Sequence, residues 1–149
     1  MNILVSACLL GIPCRYDGES APCDAVLALA KRHHLIPVCP EQLGGLPTPR
    51  KPAEIDGGRV KTKDGQDVTP QFERGARIAC EIARLCGCTR AVLKQRSPSC
   101  GSACIYDGTF SGRLRDGEGI TAACLRGHGV CVVDENGVGS LEGGEGTGP

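Results

Sequence analysis

The sequence is poor in aromatic residues and has no excess of either charge, and both features exclude classes of function. It contains no tryptophan, two phenylalanines and two tyrosines, too few for the stacking platforms with which proteins hold single-stranded nucleic acid. Its 17 basic and 17 acidic residues cancel, so no overall field attracts the chain to nucleic acid or to a membrane surface. We therefore expect neither nucleic acid nor a membrane as a partner.

Long apolar runs and phosphate-binding loops are also missing. No run approaches the length of a transmembrane helix, and Met1-Asn2 leads directly into the first apolar run, without a basic or cleavable leader. No G-x-G-x-x-G follows that run, and no Walker sequence occurs, which argues against a dinucleotide or nucleoside triphosphate cofactor. We expect a cytoplasmic protein that acts on another class of ligand.

Cysteine, by contrast, is abundant, at 11 of 149 residues. A chain of this length can build one domain with its own apolar core, so disulfide staples are not needed. An odd number of cysteines without a secretory leader favours free thiols, some of which bind a metal or a cluster. Free cysteine is also a common small core residue, and we interpret Cys23, Cys80, Cys86, Cys124 and Cys131 in that way.

Apolar runs alternate with helical patterns along the chain, which predicts an α/β fold with parallel strands. Strands are expected at 2–7, 35–38, 91–94 and 130–133, helices at 22–34, 69–86 and 119–126, and hairpins at 53–69 and 106–116. We expect a single domain over residues 1–136, with a short, mostly parallel Rossmann-like sheet, helices on both faces and an inserted hairpin. Residues 137–149 are rich in Gly and Glu and are predicted to form a disordered tail.

Three of the predicted strands lead to a cysteine. The first run is followed by Cys8, the second by Cys39, and the third by the Ser/Pro/Gly turn that carries Cys100. The carboxyl ends of parallel strands lie at one edge of the sheet, where ligands bind in open α/β folds. We therefore expect these three thiols to converge.

Three thiolates suit a soft metal, either zinc with a fourth ligand or an iron–sulfur cluster with one open iron. Zinc sites usually contain a close pair of ligands on one knuckle, and Cys86-Gly87-Cys88 is spaced too tightly for one. Single ligands from separate strand ends favour a cluster over one ion. Zinc, and thiols without any metal, stay open as alternatives at this point.

Three motifs occur in the order found in one known family. They are Ser6-Ala7-Cys8-Leu9-Leu10-Gly11 with Arg15-Tyr16-Asp17-Gly18, Cys39-Pro40-Glu41 with Gly45-Leu46 and Pro49-Arg50, and Ser97-Pro98-Ser99-Cys100-Gly101. From Asn2 to about Gly137, the chain resembles the thiouracil desulfidase-like family of small bacterial iron–sulfur proteins. The resemblance implies a [4Fe-4S] cluster held by Cys8, Cys39 and Cys100, with one iron free to bind the sulfur of a thiocarbonyl substrate. Cys14 is left out of this ligand set, because many relatives carry a residue without a thiol there.

The resemblance also implies a hydrolytic reaction without net redox change. A thiolated pyrimidine of the 2-thiouracil or thiouridine type, as free base or nucleoside, becomes the oxo compound and releases hydrogen sulfide. Glu41 is the expected base for the attacking water, and Ser97 and Ser99 are expected to donate to the substrate or to the leaving sulfur. Cluster-assembly machinery is the implied protein partner.

Arg15, Asp17 and Arg50 are predicted to form walls of the pocket, because planar donors and an acceptor can read the amide edge of a pyrimidine. Ion pairs that fix the loops are the alternative for these three residues. Two other functions stay open: a cluster enzyme that adds sulfur in a thiolation reaction, and a non-catalytic iron or redox sensor. A sensor would not need Glu41.

Overall fold

The structure, a computed structural model, describes residues 1–141. Its helices and strands follow one another in an alternating order. In chain order they are β1 (Asn2–Ser6), α1 (Asp24–Leu27), β2 (His34–Val38), α2 (Pro40–Leu43), β3 (Ala53–Asp56), β4 (Arg59–Thr62), α3 (Thr69–Leu85), β5 (Arg90–Leu93), β6 (Cys104–Tyr106), β7 (Leu114–Asp116), α4 (Ile120–Gly127) and β8 (Cys131–Asp134).

The main sheet has four strands in the order β2-β1-β5-β8, and every pairing is parallel. All four strands therefore end at the same edge. The result confirms the predicted α/β fold with a short parallel sheet. None of the helices within residues 1–141 is long and apolar enough to cross a membrane.

Side chains of β1 alternate between two apolar cores, one on each face of the sheet. Ile3 packs with Val26 of α1 on one face, and Leu4 packs with Ala83 of α3 and Leu125 of α4 on the other. Each of these branched side chains is fully buried, which is worth about 1.5–3 kcal/mol per side chain. Helices cover both faces, as the sequence predicts.

Two antiparallel hairpins, β3–β4 and β6–β7, lie outside the main sheet. A third apolar core joins them, because Ile55 of β3 and Ile105 of β6 pack with Phe72 of α3. Glu54 Oε1 of the first hairpin accepts the backbone N–H groups of Gly108 and Phe110 in the second, at 3.0 and 3.1 Å. The hairpin predicted at 53–69 and the one at 106–116 thus form one unit.

The helix predicted at 22–34 is shorter than expected. Cys23 is still extended, α1 spans Asp24–Leu27, and Ala28–Lys31 continues as a 3-10 helix. The helical pattern of the sequence does not show that His34 pairs with Asn2 at the start of β2. This pairing places the last residue of the predicted helix in a strand.

The tail predicted for residues 137–149 lies partly outside the described residues, which end at 141. Of the part that is described, Val138 and Leu141 are buried in the core on the α1 face of the sheet. The apolar core therefore extends past the predicted domain boundary at residue 136.

Helices α2 and α3 touch through their backbones at two glycines. A Cβ placed on Gly75 would lie 1.9 Å from the carbonyl oxygen of Pro40, and one on Gly44 would lie 1.9 Å from that of Gln71. No real Cβ tolerates such a distance, so only glycine permits this approach. Because α2 begins directly after Cys39, this contact sets the position of one of the predicted ligands.

Candidate active site

A cavity of about 480 Å³ opens where β1, β2 and β5 end, and Cys8, Cys39 and Cys100 all line it. Its volume lies within the range of roughly 300–1,000 Å³ that small-molecule sites occupy. The three strands are neighbours in the sheet. The structure shows that the three cysteines converge on one cavity, as the sequence predicts.

Each cysteine is placed by the turn that follows its strand. Cys8 lies in a 3-10 helix that starts right after β1, and Cys39 is the single residue between β2 and α2. Ser97 Oγ accepts the backbone N–H groups of Ser99 and Cys100 at 3.1 and 3.0 Å, which fixes the longer turn after β5. The ends of the strands and the hydrogen bonds within the turns thus position the three cysteines.

A fourth cysteine, Cys14, lies at the same place. It is 2% exposed, lines the cavity, and its thiol contacts those of Cys39 and Cys8. Its carbonyl oxygen lies 3.6 Å from Cys39 Sγ. The sequence resemblance leaves Cys14 out of the ligand set, yet the loop that returns from Cys8 brings its thiol next to those of Cys8 and Cys39.

The surroundings of Cys39 and Cys100 favour the neutral form of both thiols. Burial raises the pKa of Cys100 to about 12, and the charges of Glu41 and Cys39 act in the same direction. A hydrogen bond with Cys14, together with burial, raises the pKa of Cys39. Thiolates crowded at a buried place are costly unless a cation neutralises them, so this donor set fits a cationic iron–sulfur centre.

The spacing of the sulfurs fits a cluster better than a single ion. Within residues 1–141, a group of three ligand atoms that all lie within 4.8 Å of one another is formed by Cys80, Cys124 and His128. The strand-end cysteines do not form such a group. A single tetrahedral zinc ion needs its ligand atoms about 3.5–3.8 Å apart. The wider arrangement at the strand ends suits a larger polynuclear group.

Glu41 lies in the first turn of α2 and lines the cavity. Its Oε1 accepts a hydrogen bond from Arg50 Nε at 3.1 Å. Burial raises the pKa of Glu41, and the Arg50 guanidinium opposes that rise. The carboxylate is therefore fixed in direction and poorly solvated, and it faces the space that the thiols share.

Arg50 uses most of its donors on the protein. Besides Glu41, it donates to the carbonyl oxygens of Cys14 at 2.8 Å and Pro47 at 3.2 Å, and to Thr48 Oγ1 at 2.9 Å. Its side chain is 6% exposed. This geometry matches the loop-fixing alternative for Arg50, since the guanidinium ties the Cys14 loop to the Glu41 helix.

The two serines predicted to act on substrate occupy different places. Ser97 lines the cavity, and its Oγ, which accepts two backbone N–H groups, still has its own proton to donate. Ser99 is 1% exposed and lies against Thr121, with 2.8 Å between the hydroxyl oxygens; it is not among the residues that line the cavity. Ser6, missed in the sequence, lines the cavity and contacts the Cys100 thiol.

Arg15 and Asp17 are only partly brought to the site. Arg15 lines the cavity, whereas Asp17 does not. The Arg15 Nη2 atom lies 3.9 Å from Asp17 Oδ2, and both side chains are about one-third exposed, at 35% and 37%. Asp17 Oδ1 also accepts the backbone N–H of Glu19 at 3.0 Å, so Asp17 shapes the loop.

Aromatic side chains were missed in the sequence because they are so few. Tyr16, Tyr106 and Phe110 line the cavity, while the fourth aromatic residue, Phe72, is buried in the core beneath the hairpins. Three of four aromatic residues thus face one cavity.

Comparison with known proteins agrees with this geometry. Residues 3–137 match the family model described as 2-thiouracil desulfurase. A solved structure of the [4Fe-4S]-dependent thiouracil desulfidase TudS superposes with a TM-score of 0.90 at 48% identity, covering 95% of each chain. The Bacillus subtilis (strain 168) protein described as uncharacterized protein YbbK is 43% identical over 144 residues, which is 90% of this chain and 95% of that protein. These matches confirm the family predicted from the three cysteine motifs, and this chain belongs to the 2-thiouracil desulfurase family.

Proposed function

We propose that this protein is a hydrolytic thiouracil desulfidase whose [4Fe-4S] cluster is held by Cys8, Cys39 and Cys100. The observation that carries the proposal is the convergence of three thiols, from three neighbouring strand ends, on one cavity that also contains the Glu41 carboxylate. The family and the [4Fe-4S]-dependent relative TudS support the same activity.

The substrate of this proposal is a thiolated pyrimidine, as free base or nucleoside. Tyr16, Tyr106 and Phe110 give the cavity flat apolar surfaces, against which a heteroaromatic ring packs favourably. Arg15 supplies a planar donor at the same wall, suited to the carbonyl oxygen on the ring or to a deprotonated ring nitrogen. The volume of about 480 Å³ leaves room for the ring beside the sulfur ligands.

The reaction exchanges sulfur for oxygen. The C=S group and one water become C=O and hydrogen sulfide, and no electron is gained or lost. When bound, the cluster supplies an open iron as a soft Lewis acid for the thiocarbonyl sulfur. Glu41 takes a proton from the water that adds to the thiocarbonyl carbon, while Arg50 holds that carboxylate in direction.

Ser97 is the hydroxyl that completes the proton transfers in this proposal. Its Oγ faces the cavity next to Cys100, and it can donate to the departing sulfur or to the substrate. Ser99 supports the same turn from behind, through its hydrogen bond with Thr121.

The proposal includes cytoplasmic location and a cluster-assembly partner. All eleven cysteines lie within the described residues, and none forms a disulfide, as expected in a reducing compartment. A site with this thiol set must be loaded with iron and sulfide before it can act, which is the task of assembly machinery.

Replacing Glu41 by Gln should remove turnover but keep the cluster. The amide has the same shape, yet it cannot accept the proton from water, and loss of general base catalysis typically costs about 10²- to 10⁴-fold in rate. Sulfide release from 2-thiouracil and from a thiouridine measures the loss, and iron content and the visible spectrum measure the cluster.

Glu118→Gln is the matched control, because Glu118 pairs with Arg126 outside the cavity. It should keep both turnover and cluster. Undiminished sulfide release by Glu41→Gln with a full cluster would remove Glu41 from the mechanism. A wild-type protein with a cluster but no sulfide release from any thiolated pyrimidine would favour the sensor alternative.

A further inference from the structure

A second group of sulfur and nitrogen donors lies between α3 and α4. Cys80 Sγ lies 2.8 Å from Cys124 Sγ, and His128 Nδ1 lies 4.0 Å from Cys124 Sγ. A ring nitrogen of His128 and the two sulfurs all lie within 4.8 Å of one another. None of the three residues lines the strand-end cavity.

Helix geometry brings these donors together. Cys124 and His128 are four residues apart at the end of α4, so they lie on one face of the helix. Cys80 lies in the middle of α3, which packs against α4 in the core below the sheet. The two thiols are therefore fixed by helix packing, and His128 follows directly after the last residue of α4.

His128 is oriented as a metal-binding imidazole is. Its Nδ1 lies 2.8 Å from the carbonyl oxygen of Cys124, which can only accept, so Nδ1 carries the ring proton. The lone pair of the neutral ring is then on Nε2. Metal-ligating histidines usually donate their other ring N–H to a carbonyl or carboxylate in this way.

The donors are accessible, which corrects their interpretation as core thiols. Cys80 and Cys124 are partly exposed, His128 is exposed, and all three line a surface cavity of about 290 Å³. Cys131 is exposed as well. Cys23 and Cys86 are also only partly buried, so none of the five cysteines interpreted as core residues is fully buried.

In the absence of a cation, the Cys80 thiol keeps its proton. Burial, and next the neighbouring Cys124, raise the pKa of Cys80 to about 12. Two sulfurs this close do not both ionise, because the like charges repel. A dication reverses the balance by displacing both protons.

We propose that Cys80, Cys124 and His128 form a second metal site, which binds a zinc(II) ion through two thiolates and the imidazole Nε2. With Zn–S of about 2.3 Å and Zn–N of about 2.0 Å, neighbouring ligand atoms of a tetrahedral site lie about 3.5–3.8 Å apart. The two sulfurs lie 2.8 Å apart and a ring nitrogen of His128 lies within 4.8 Å of both, so side-chain rotation is enough to bring the three donors to these distances. Both protons pass to solvent, no electron is transferred, and the fourth position faces the surface cavity.

The position of the site gives the ion a structural role. Helix α3 contacts α2 at Gly75, directly after Cys39. Helix α4 begins against the Cys100 turn, where the Thr121 N–H donates to the Ser99 carbonyl oxygen at 2.8 Å. An ion that joins α3 to α4 therefore ties together the two helices that support two of the three cluster ligands.

The test is metal uptake by the reduced, cluster-loaded protein under anaerobic conditions. Cobalt(II) is titrated as the probe, because a tetrahedral cobalt–thiolate centre has its own absorption bands, and iron is assayed to confirm that the cluster stays intact. We expect one cobalt ion per chain. Cys80→Ala and His128→Gln should weaken binding by more than the roughly 10- to 100-fold loss that changes around a metal's ligands cause.

Two matched variants serve as controls: Cys131→Ala removes an exposed thiol, and His34→Gln an exposed imidazole, so both should bind cobalt like wild type. Zinc should also raise the thermal midpoint of wild type but not of His128→Gln, whose exposed side chain is not needed for folding. The proposal would be overturned if the wild type took up no cobalt, or if Cys80→Ala and His128→Gln still took it up. A Cys80–Cys124 disulfide that persists under reducing conditions would overturn it as well.

Discussion

Replacing Cys8, Cys39 or Cys100 by serine, one at a time, should abolish the iron–sulfur chromophore in each variant. Each thiol comes from a different strand end and lines the same cavity, so each variant removes one of three separate points of attachment. Serine oxygen is a poor ligand for iron in a cluster, which prefers soft sulfur donors. Anaerobic reconstitution with iron and sulfide, followed by iron analysis and a visible spectrum, measures the loss.

Cys14→Ser is the sharpest control, because Cys14 lies in contact with two of the proposed ligands. It should reconstitute to full iron content, as should Cys23→Ser outside the cavity. Full occupancy in any one of the three ligand variants would contradict the assignment. If Cys14→Ser lost the cluster and Cys8→Ser kept it, Cys14 would take the place of Cys8.

Gly75→Ala should be the most damaging substitution outside the cavity. Its Cβ would lie 1.9 Å from the Pro40 carbonyl oxygen, and backbone cannot yield as a flexible side chain does. Overpacking costs about 1–3 kcal/mol where neighbours can adjust, and we expect at least the upper end of that range here. Relief requires α2 to move, which carries Cys39 and Glu41 with it. Urea unfolding and cluster content together measure both effects.

Gly127→Ala is its matched control, since Gly127 also lies in a helix but a Cβ there meets nothing within 4 Å. Alanine should be neutral or stabilise the protein by up to roughly 1 kcal/mol, from helix propensity alone. If Gly75→Ala unfolded at the wild-type urea concentration and bound a full cluster, the backbone contact would not govern the ligand's position.

The strand ends were predictable from sequence because they depend on local pattern. Short apolar runs that lead to a cysteine mark the strands, and the parallel topology brings the ends of these strands, with Cys8, Cys39 and Cys100, to one edge of the sheet. The family motifs add Glu41 and Ser97, which the structure places in the cavity. The strands and the edge at which they end need only periodicity and one topological rule, whereas Glu41 and Ser97 depend on the family resemblance.

Features that depend on packing between distant segments were not predictable. The role of Arg50 follows from its distances to Glu41 and to the Cys14 carbonyl, which no spacing encodes. Ser99 points away from the cavity because α4 supplies Thr121 behind it. The contact between Cys80 and Cys124 joins helices 44 residues apart, so their thiols look like ordinary core residues in sequence.

The wide separation of the ligands along the chain makes the cofactor a reporter of the whole fold. From Cys8 to Cys39 is 39 − 8 = 31 residues, and from Cys39 to Cys100 is 100 − 39 = 61 residues, so no local peptide gathers the three sulfurs. A ligand that binds only the native state stabilises that state by mass action. Metal binding of this kind is therefore coupled to folding. Unfolding should therefore release the iron, so the loss of colour during denaturation of the loaded protein should follow the loss of its native fold.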